Sequence, residues 1–248
     1  MPARRDPHRP RPPAPADDWA LFLDVDGCLL EFADAPEAVC VPEGLRTTLD
    51  RLSQRLQGAV ALVSGRALAN LDRLFAPMQF PGAGLHGLER RGAGQHAAPA
   101  ASPALPAVRD DARRLAAAHP GALVEDKGAA LALHWRIAPQ AADPLRDFAQ
   151  AALPRLPGYR LEHGDSVVEL RPGATDKGAA IRALLEQPPF QGRLPVFAGD
   201  DLTDESGFAA VNAQGGISVL VGAREPSAAR FQLRDPADVR GWLQGDPT

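Results

Sequence analysis

The sequence predicts an α/β fold in which a doubly wound, Rossmann-like parallel sheet forms the core and a smaller α+β unit is inserted. Two observations support this fold class. Short apolar runs alternate with helical segments at both ends of the chain, as expected when helices cover both faces of a parallel sheet. In the middle of the chain the order changes to helix, hairpin, helix, hairpin, and hairpins indicate an antiparallel sheet. With 248 residues, 45% of them hydrophobic, the chain is long enough for a core domain and an inserted one.

The elements of the predicted core follow from the period of their apolar residues. Near-continuous apolar runs predict buried strands, and apolar residues three or four positions apart predict helices. The first helix shows this repeat at Leu45, Leu49, Leu52 and Leu56. The predicted elements are, in chain order, strand WALFLD (19–24), a helix over 42–57, strand AVALVS (59–64), a helix over 67–75, a helix over 176–186, and strands LPVFAG (194–199) and ISVLVG (217–222).

The inserted unit is expected over residues 92–171, and the core over 18–91 and 172–248. Amphipathic patterns predict helices over 106–118 and 140–153. Each helix is followed by two strand-like segments, first ALVED and ALALHWR around Lys127-Gly128, then YRLEH and SVVELR around Gly164-Asp165. Glycine-containing pairs between such segments are typical of hairpin turns. The pattern therefore predicts a separate sheet with two helices.

The composition of the N-terminal residues, the net charge and the number of cysteines narrow the class of protein. Residues 1–17 are rich in proline and arginine, which predicts a disordered, partly extended tail. The formal net charge of −4 does not favour a nucleic-acid partner. No apolar run approaches the roughly 18 residues that a membrane span requires. With only Cys28 and Cys40, no disulfide framework is expected. The expectation is a cytoplasmic protein that acts on a small molecule, as a monomer or weak dimer.

Two acids end the first predicted strand, in LFLDVDGCLLEF. Asp24 and Asp26 are two residues apart, so in an extended chain both face the same way and can meet one ligand. Ligands of open α/β sheets bind at the carboxyl ends of the strands, where these acids lie. Taken alone, however, the DxDG string is more typical of a strand-end turn with a capping aspartate.

Further polar residues are expected at the same edge of the sheet. They are Ser64-Gly65-Arg66 after the second strand, Lys177 at the start of a helix, and Asp200, Asp201 and Asp204 after strand 194–199. Each of them alone could be a turn residue, a helix cap or a solvated charge. Their occurrence together, in this order, favours a functional site.

Phosphoryl transfer is the chemistry that needs this set of groups. Clustered carboxylates hold Mg²⁺, a hard cation that prefers oxygen ligands. A carboxylate can attack phosphorus, and a second acid can move the proton of the leaving group. A hydroxyl and an ammonium can bind the other phosphate oxygens.

The motifs DVDG, LVSGR, Lys177 and GDDLTDE, in this order, resemble those of the haloacid dehalogenase (HAD) superfamily of phosphatases. The resemblance covers residues 18–248 and implies a doubly wound core with an inserted cap. A finer similarity, to trehalose-6-phosphate phosphatases, rests on AGLHGLERR, VEDKGAALALHWR, VVELRP and GDDLTDESGF. It implies Mg²⁺-dependent hydrolysis of trehalose 6-phosphate through an aspartyl-phosphate intermediate.

The resemblance also implies a role for each matched residue. Asp24 is expected to be the nucleophile and Asp26 the general acid/base. The expected Mg²⁺ ligands are Asp24, the backbone carbonyl of Asp26, and Asp200, with Asp201 and Asp204 in support. The expected phosphate-binding residues are Ser64, Gly65 and Lys177. The expected sugar-binding residues of the cap are Glu125, Lys127, Arg136 and Glu169.

Two interpretations of the cap residues remain open. Charged side chains make strong hydrogen bonds to sugar hydroxyls, but charges on a small two-faced sheet are often only its solvated face. The matched strings favour binding for Glu125, Lys127 and Arg136, and leave Glu169 open. A departure from the family is Cys28, where threonine is common; a thiol is a weaker donor and supports the loop less.

Three functions therefore remain at this point. The favoured one is a trehalose-6-phosphate phosphatase. A related phosphatase for another sugar phosphate, such as sucrose or mannosylglycerate phosphate, differs only in the cap. A non-catalytic sugar-phosphate sensor or synthase partner would keep the fold, but the intact set of acids, serine and lysine argues against it. A formal dinucleotide string, Gly82-x-Gly84-x-x-Gly87, is not followed by a helix opening and does not favour a nucleotide site.

Overall fold

The computed structural model describes residues 9–32, 39–92, 101–173 and 176–245. Its strands are β1 (Trp19–Leu23), β2 (Val60–Val63), β3 (Gly82–Gly84), β4 (Glu89–Arg91), β5 (Leu123–Asp126), β6 (Leu131–His134), β7 (Tyr159–Gly164), β8 (Val167–Pro172), β9 (Leu194–Gly199), β10 (Ile217–Val221) and β11 (Phe231–Leu233). Its α-helices are α1 (Leu45–Arg55), α2 (Leu68–Phe75), α3 (Leu105–Ala117), α4 (Ala142–Ala152), α5 (Lys177–Leu185), α6 (Glu205–Ala213) and α7 (Pro236–Gln244).

Seven strands form the core sheet, in the order β11-β10-β9-β1-β2-β3-β4. Every neighbouring pair is parallel except β3 and β4, which form an antiparallel edge. The strand order reverses direction at β1, since β2 lies on one side of it and β9 on the other. Such a switch point leaves a crevice at the carboxyl end of the central strand. The predicted fold class is confirmed, and the crevice lies where Asp24 follows β1.

The centre of the core sheet is apolar because both of its faces are covered. All five residues of β1 and all four of β2 are buried. The leucine repeat of α1 packs into the same cluster through Leu45, Leu49 and Leu52. Phe22 of β1 stacks on Phe190, with ring centroids 5.2 Å apart. This buried centre rigidly positions the loops that leave its carboxyl edge.

The second sheet is antiparallel, in the order β5-β6-β8-β7, and we call it the cap sheet. One face packs against α3 and α4; its buried residues are Val108, Ala112, Leu131, Leu133, Leu145, Ala149, Val168 and Leu170. Because side chains alternate along a strand, the neighbouring positions point to the other face. There Glu125, Ala132, Glu169 and Glu162 stand in register across the four strands. The cap sheet thus has one apolar face and one charged face.

Residues 9–17 lie against the core, so the predicted disorder of the tail is wrong for this segment. Gln232 of β11 donates its backbone N–H to the carbonyl of Pro10, at 3.0 Å. Trp242 donates its indole N–H to the carbonyl of Pro13, at 2.7 Å. Arg11 pairs with the buried Asp238 at 2.7 Å. Proline lacks an N–H but keeps its carbonyl, so a proline-rich segment can still accept hydrogen bonds from a folded surface. Residues 1–8 lie outside the described residues.

Within the described ranges, no helix is both long and apolar enough to cross a membrane.

Candidate active site

Asp24 and Lys177 form the buried centre of the site at the carboxyl edge of the core sheet. Asp24 directly follows β1, and Lys177 is the first residue of α5. Lys177 Nζ lies 2.9 Å from Asp24 Oδ1 and 2.6 Å from Asp204 Oδ1. Burial raises the pKa of Asp24 to about 7, although the charge of Lys177 opposes that shift. Burial lowers the pKa of Lys177, but the charges of Asp204 and Asp24 outweigh it and hold that pKa above its ordinary value.

A second carboxylate, Asp200, follows β9 and completes an acidic cluster. Carboxylate oxygens of Asp24, Asp200 and Asp204 lie within 4.8 Å of one another. Burial, followed by the charges of Asp24 and Asp204, raises the pKa of Asp200 to about 9. Among the described residues, Asp200 Oδ1 has no hydrogen-bond partner although it is buried. Three acids around one lysine with an unsatisfied buried oxygen fit a hard divalent cation, which would relieve both the repulsion and the missing contact.

Asp204 organises the loop that carries Asp200. Its Oδ2 accepts hydrogen bonds from the backbone N–H groups of Asp200 and Asp201, both at 2.9 Å. Its other oxygen accepts the hydrogen bond from Lys177. Asp201 caps the short 3₁₀ turn Leu202–Asp204 and is bonded reciprocally to Asp204. Both oxygens of Asp204 are thus engaged in holding the cluster together.

Gly27 allows Asp200 to approach the loop after β1. Its φ of +78° lies in the left-handed region that favours glycine. A Cβ at this position would lie 2.2 Å from Asp200 Oδ2. The glycine of the DVDG motif is therefore required by both the turn and the close approach.

Asp26 does not join the acidic cluster through its carboxylate. Arg66 grips it with two hydrogen bonds, Nε to Oδ2 and Nη2 to Oδ1, both 2.7 Å long. Arg66 also donates its backbone N–H to Ser64 Oγ, at 3.1 Å. Ser64 is buried, and its hydroxyl can donate a hydrogen bond as well as accept one. The expected metal contact through the carbonyl of Asp26 stays a prediction.

The charged face of the cap sheet lies over this edge of the core. Lys127 donates from Nζ to Glu169 Oε2 at 2.9 Å and to the carbonyl of Gly65 at 3.2 Å. Burial by itself raises the pKa of Glu169, but the charge of Lys127 and hydrogen bonds from His86 and Lys127 hold it well below its ordinary value. Glu169 is only 4% exposed, so the alternative of a solvated face is wrong for this residue.

Two further cap residues line the opening. Glu125 Oε2 lies 2.9 Å from His134 Nε2. Arg136 lies over the ring of Phe32, 5.0 Å from its centroid, and 3.4 Å from Asp165. The contact between Arg136 and Phe32 joins the cap to the loop that follows Asp26.

A cavity of about 470 Å³ connects the two regions. Its core wall contains Asp24, Asp26, Ser64, Gly65, Arg66, His86, Lys177, Asp201 and Thr203. Its cap wall contains Glu125, Lys127, His134, Arg136, Ser166 and Glu169. Apolar side chains such as Phe32, Leu123 and Ile137 complete the lining. This volume is typical of a pocket for a small organic ligand.

A family model described as trehalose-phosphatase matches residues 22–237. The chain belongs to the trehalose-phosphatase family. It is 46% identical over 214 residues to a probable trehalose-phosphate phosphatase of Sinorhizobium fredii, a match that covers 86% of this chain and 81% of that protein. It is 42% identical over 228 residues to a trehalose-6-phosphate phosphatase of Escherichia coli, covering 91% and 85%.

A solved structure in the same family shares the fold. The C-terminal domain of C. albicans trehalose-6-phosphate phosphatase matches with a TM-score of 0.79 and 23% identity, covering 92% of this chain and 91% of that one. At this identity the likeness concerns the fold alone.

The expected site residues of this trehalose-phosphatase family member come together around one cavity. Asp200 and Asp204 are not lining residues but have carboxylate oxygens within 4.8 Å of that of Asp24, and the others line the cavity directly. The roles inferred for these residues from sequence remain predictions. Sequence reasoning missed Arg66 as the partner of Asp26 and His134 as the partner of Glu125. Arg66 lies in the motif LVSGR and His134 in the motif ALALHWR. The sequence therefore indicates where these two residues lie but not which side chains they contact.

Proposed function

We propose that this trehalose-phosphatase family member hydrolyses trehalose 6-phosphate to trehalose and inorganic phosphate. The observation that carries the proposal is one cavity that joins an acid–lysine cluster suited to a phosphate with charged cap residues suited to sugar hydroxyls. The relatives whose names specify trehalose phosphate support the same substrate.

Asp24 is the proposed nucleophile. Its Oδ1 lies 2.9 Å from Lys177 Nζ, and its second oxygen is the proposed attacking atom, in line with the leaving sugar oxygen. The attack forms a P–O bond to Asp24 and breaks the bond to the sugar. Ser64 Oγ and Lys177 Nζ are the proposed donors to the remaining phosphate oxygens, together with the backbone N–H of Gly65. Water then hydrolyses the aspartyl phosphate and regenerates Asp24.

Mg²⁺ is the proposed cofactor, and Asp24 and Asp200 are the carboxylates that would hold it, with the carbonyl of Asp26. The unsatisfied Oδ1 of Asp200 and its raised pKa support this assignment. When bound, the ion supplies positive charge that offsets the repulsion between a phosphate dianion and the acids. Asp204 and Asp201 are proposed to support the site by shaping the loop.

Asp26 is the proposed general acid/base, and Arg66 controls its availability. In the structure, both oxygens of Asp26 accept hydrogen bonds from Arg66. A substrate phosphate would compete for this guanidinium, because arginine binds phosphate as well as carboxylate in a forked manner. Once released, Asp26 can carry the proton to the leaving sugar oxygen, and later accept one from the attacking water.

The sugar end of the cavity is proposed to bind hydroxyls through Glu125, Lys127, Arg136 and Glu169. Glu169 Oε1 is buried and, within the described part of the chain, has no hydrogen-bond partner. Such an oxygen is costly to bury unless a ligand donates to it, and a sugar hydroxyl would do so. The Glu125–His134 pair offers a similar acceptor, with its carboxylate held in place by the imidazole.

The decisive experiment is phosphate release from a panel of phosphate esters, with Mg²⁺ and after its removal by EDTA. The panel contains the phosphates of trehalose, sucrose, mannosylglycerate and glucose, and an aryl phosphate. We expect trehalose 6-phosphate to have the highest kcat/KM by at least about tenfold, since a site built for specific hydroxyls rejects ligands that lack them.

Other outcomes would point to other functions. A clear preference for sucrose or mannosylglycerate phosphate would assign the cap to that sugar instead. Tight binding of trehalose 6-phosphate without metal-dependent turnover would indicate a sensor rather than an enzyme. Equal rates for trehalose 6-phosphate and glucose 6-phosphate would contradict the proposed role of the cap.

A further inference from the structure

The loop that carries Asp200 is held from outside the site by Arg224. The side chain of Arg224 donates to the backbone carbonyl of Asp200 at 3.3 Å and to that of Asp201 at 3.2 Å. It also pairs with Glu205, the first residue of α6. The second oxygen of Glu205 accepts the backbone N–H of Ala228, at 2.8 Å. We call the segment 223–229 the clamp loop and the segment 200–205 the acidic loop. Arg224 and Ala228 of the clamp loop thus both bind the acidic loop.

The N-terminal segment holds the clamp loop from its other side. Arg9 donates to the carbonyls of Ala229 and Ser227, at 2.7 and 3.0 Å. It also forms a forked pair with Glu225, at 2.5 and 3.2 Å. The Arg9 side chain is 16% exposed, and its bonds to the two carbonyls are partly buried, whereas its pair with Glu225 is exposed. One arginine thus joins the N-terminal segment to three residues of the clamp loop that lie 216 to 220 positions further along the sequence.

The two arginines act on the same loop in series. Arg9 binds the clamp loop to the N-terminal segment. Arg224, which belongs to the clamp loop, in turn binds the backbone carbonyls of Asp200 and Asp201. A ligating carboxylate binds a small cation well only when its backbone is held in place, because Mg²⁺ tolerates little deviation from ideal geometry. We therefore expect the N-terminal segment to affect the geometry of the acidic cluster indirectly, through the clamp loop.

We propose that Arg9, the clamp loop and Arg224 position the acidic loop, so that the N-terminal segment raises the affinity of the acidic cluster for its divalent cation. Arg9 and Arg224 are positioning residues, since neither lies in the cavity wall. The proposal rests on the proposed function only in taking the acidic cluster as the Mg²⁺ site.

The test compares Arg9→Ala with Arg11→Ala, a matched control in the same segment. Arg11 pairs with Asp238 of α7, which keeps Arg234 as a second partner in the variant. Both variants remove one arginine and one ion pair that tie the segment to the fold. Only Arg9 is bonded to the clamp loop, so only its loss is expected to reach Asp200.

Two readouts without substrate separate positioning from general stability. The first is the apparent Kd for Mg²⁺, from the rise in melting temperature of EDTA-treated protein with added Mg²⁺. We expect Arg9→Ala to weaken it roughly 3- to 10-fold, the range typical of remote positions coupled to a site. The second is hydrogen exchange of the Asp200 and Asp201 amides, which should be faster in Arg9→Ala. Arg11→Ala should match the wild type in both.

A double variant tests whether the two arginines act in series. Arg224→Gln should weaken Mg²⁺ binding more than Arg9→Ala does, because it removes the direct contacts to the acidic loop. Adding Arg9→Ala to Arg224→Gln should then cost little more, since residues on one path are not additive. Full additivity would overturn the serial arrangement.

The outcomes also separate this inference from the proposed function. If Arg9→Ala and Arg11→Ala had the same Mg²⁺ affinity and the same exchange rates while the wild type hydrolysed trehalose 6-phosphate, the positioning role would be wrong and the function would stand. If the wild type bound Mg²⁺ with the expected difference between variants but released no phosphate from any ester, the function would be wrong and the positioning role would stand.

Discussion

The acidic edge of the core and the charged face of the cap sheet hold their charges in different ways. At the core edge, three acids surround one lysine, and Asp200 keeps an unsatisfied buried oxygen. On the cap, Lys127 pairs with Glu169 and His134 with Glu125, although Glu169 Oε1 is also buried and has no hydrogen-bond partner among the described residues. The three acids around one lysine at the core call for a cation. On the cap, each of the two carboxylates already accepts from a donor on the protein and has hydrogen-bonding capacity left for a neutral ligand.

The two regions also differ in how the backbone presents the side chains. The core acids stand on loops beyond buried strands, and one of them, Asp204, is fixed by two backbone N–H groups. Of the cap residues, Glu125 and Glu169 stand on β5 and β8, whereas Lys127 and Arg136 lie just beyond β5 and β6. Their contacts are made by their own side chains, to other side chains and, for Lys127, also to the carbonyl of Gly65. We therefore expect core changes to affect every phosphate ester and cap changes to affect only those with the right sugar.

The largest effect is expected for Asp24→Asn. An amide cannot form the aspartyl phosphate, so kcat should fall at least about 10³-fold for trehalose 6-phosphate and for an aryl phosphate alike. Rates of phosphate release measure this, and an unchanged melting curve serves as the control for folding. Normal release from either ester would exclude Asp24 as the nucleophile.

The Arg66→Lys change probes the pair with Asp26. Lysine keeps the charge but loses the fork that holds both oxygens of Asp26, so proton transfer should be poorly oriented. We expect kcat to fall by about 10²-fold for trehalose 6-phosphate, the lower end of what general acid/base catalysis contributes. For an aryl phosphate, whose leaving group needs no proton, the loss should be smaller. Equal losses would place the role of Arg66 in phosphate binding instead.

The Glu169→Gln change probes the cap. It keeps the shape of the side chain but removes the charge that accepts from Lys127. Hydrogen bonds to a charged group contribute about 1.5–3 kcal/mol, so kcat/KM for trehalose 6-phosphate should fall roughly 10- to 100-fold. For an aryl phosphate it should change by less than about threefold, because no sugar is bound. If both substrates lost the same factor, the difference between core and cap would not hold.

A smaller effect is expected for Arg136→Ala at the opening. Arg136 is partly exposed and contacts the ring of Phe32, an arrangement typically worth about 0.5–1 kcal/mol. The change should raise KM for trehalose 6-phosphate about two- to fivefold and leave kcat nearly unchanged. Leu123→Ala, an apolar change on the same wall, is a useful comparison. A loss with the aryl phosphate as large as that with the disaccharide ester would contradict a role in sugar binding.

The sequence predicted which residues lie at the acidic edge of the core, but not which side chains they contact there. Asp24, Ser64, Lys177 and Asp200 follow or open regular elements with strong apolar patterns, so topology alone brings them together. The choice of Arg66 as the partner of Asp26 depends on side-chain reach in three dimensions, which no spacing rule contains. Likewise, Asp204 was expected only in support, but its side chain is the hub that orders the loop.

Elements without a strong periodic pattern were missed. Strand β3 consists of Gly82, Ala83 and Gly84, residues that do not favour strands, and sheet contacts place it there instead. A Cβ on Gly82 would lie 2.1 Å from the carbonyl oxygen of Leu62, so close backbone approach explains the glycine. The strand β11 and the helices α6 and α7 were also not predicted. For residues 9–17, composition predicted disorder, whereas specific arginine and carbonyl contacts hold the segment on the core.

The smallest expected effect is on the pH dependence of stability, and it concerns the pair of Lys127 and Glu169 on the cap. Burial raises the pKa of Glu169, but Lys127 and His86 outweigh it, so its pKa in the folded protein lies below that in the unfolded chain. The pair therefore contributes stability that is fully present above about pH 4.5 and is lost as the pH falls further. One such group steepens the acid slope of the unfolding free energy by at most about 1.4 kcal/mol per pH unit. Urea unfolding at pH 6, 5, 4 and 3.5 should therefore show a shallower slope in Glu169→Gln than in the wild type. Lys127→Met should also flatten it, because the cation that lowers the pKa of Glu169 is gone. A wild-type slope in both variants would show that this pair is not ionised together in the folded protein.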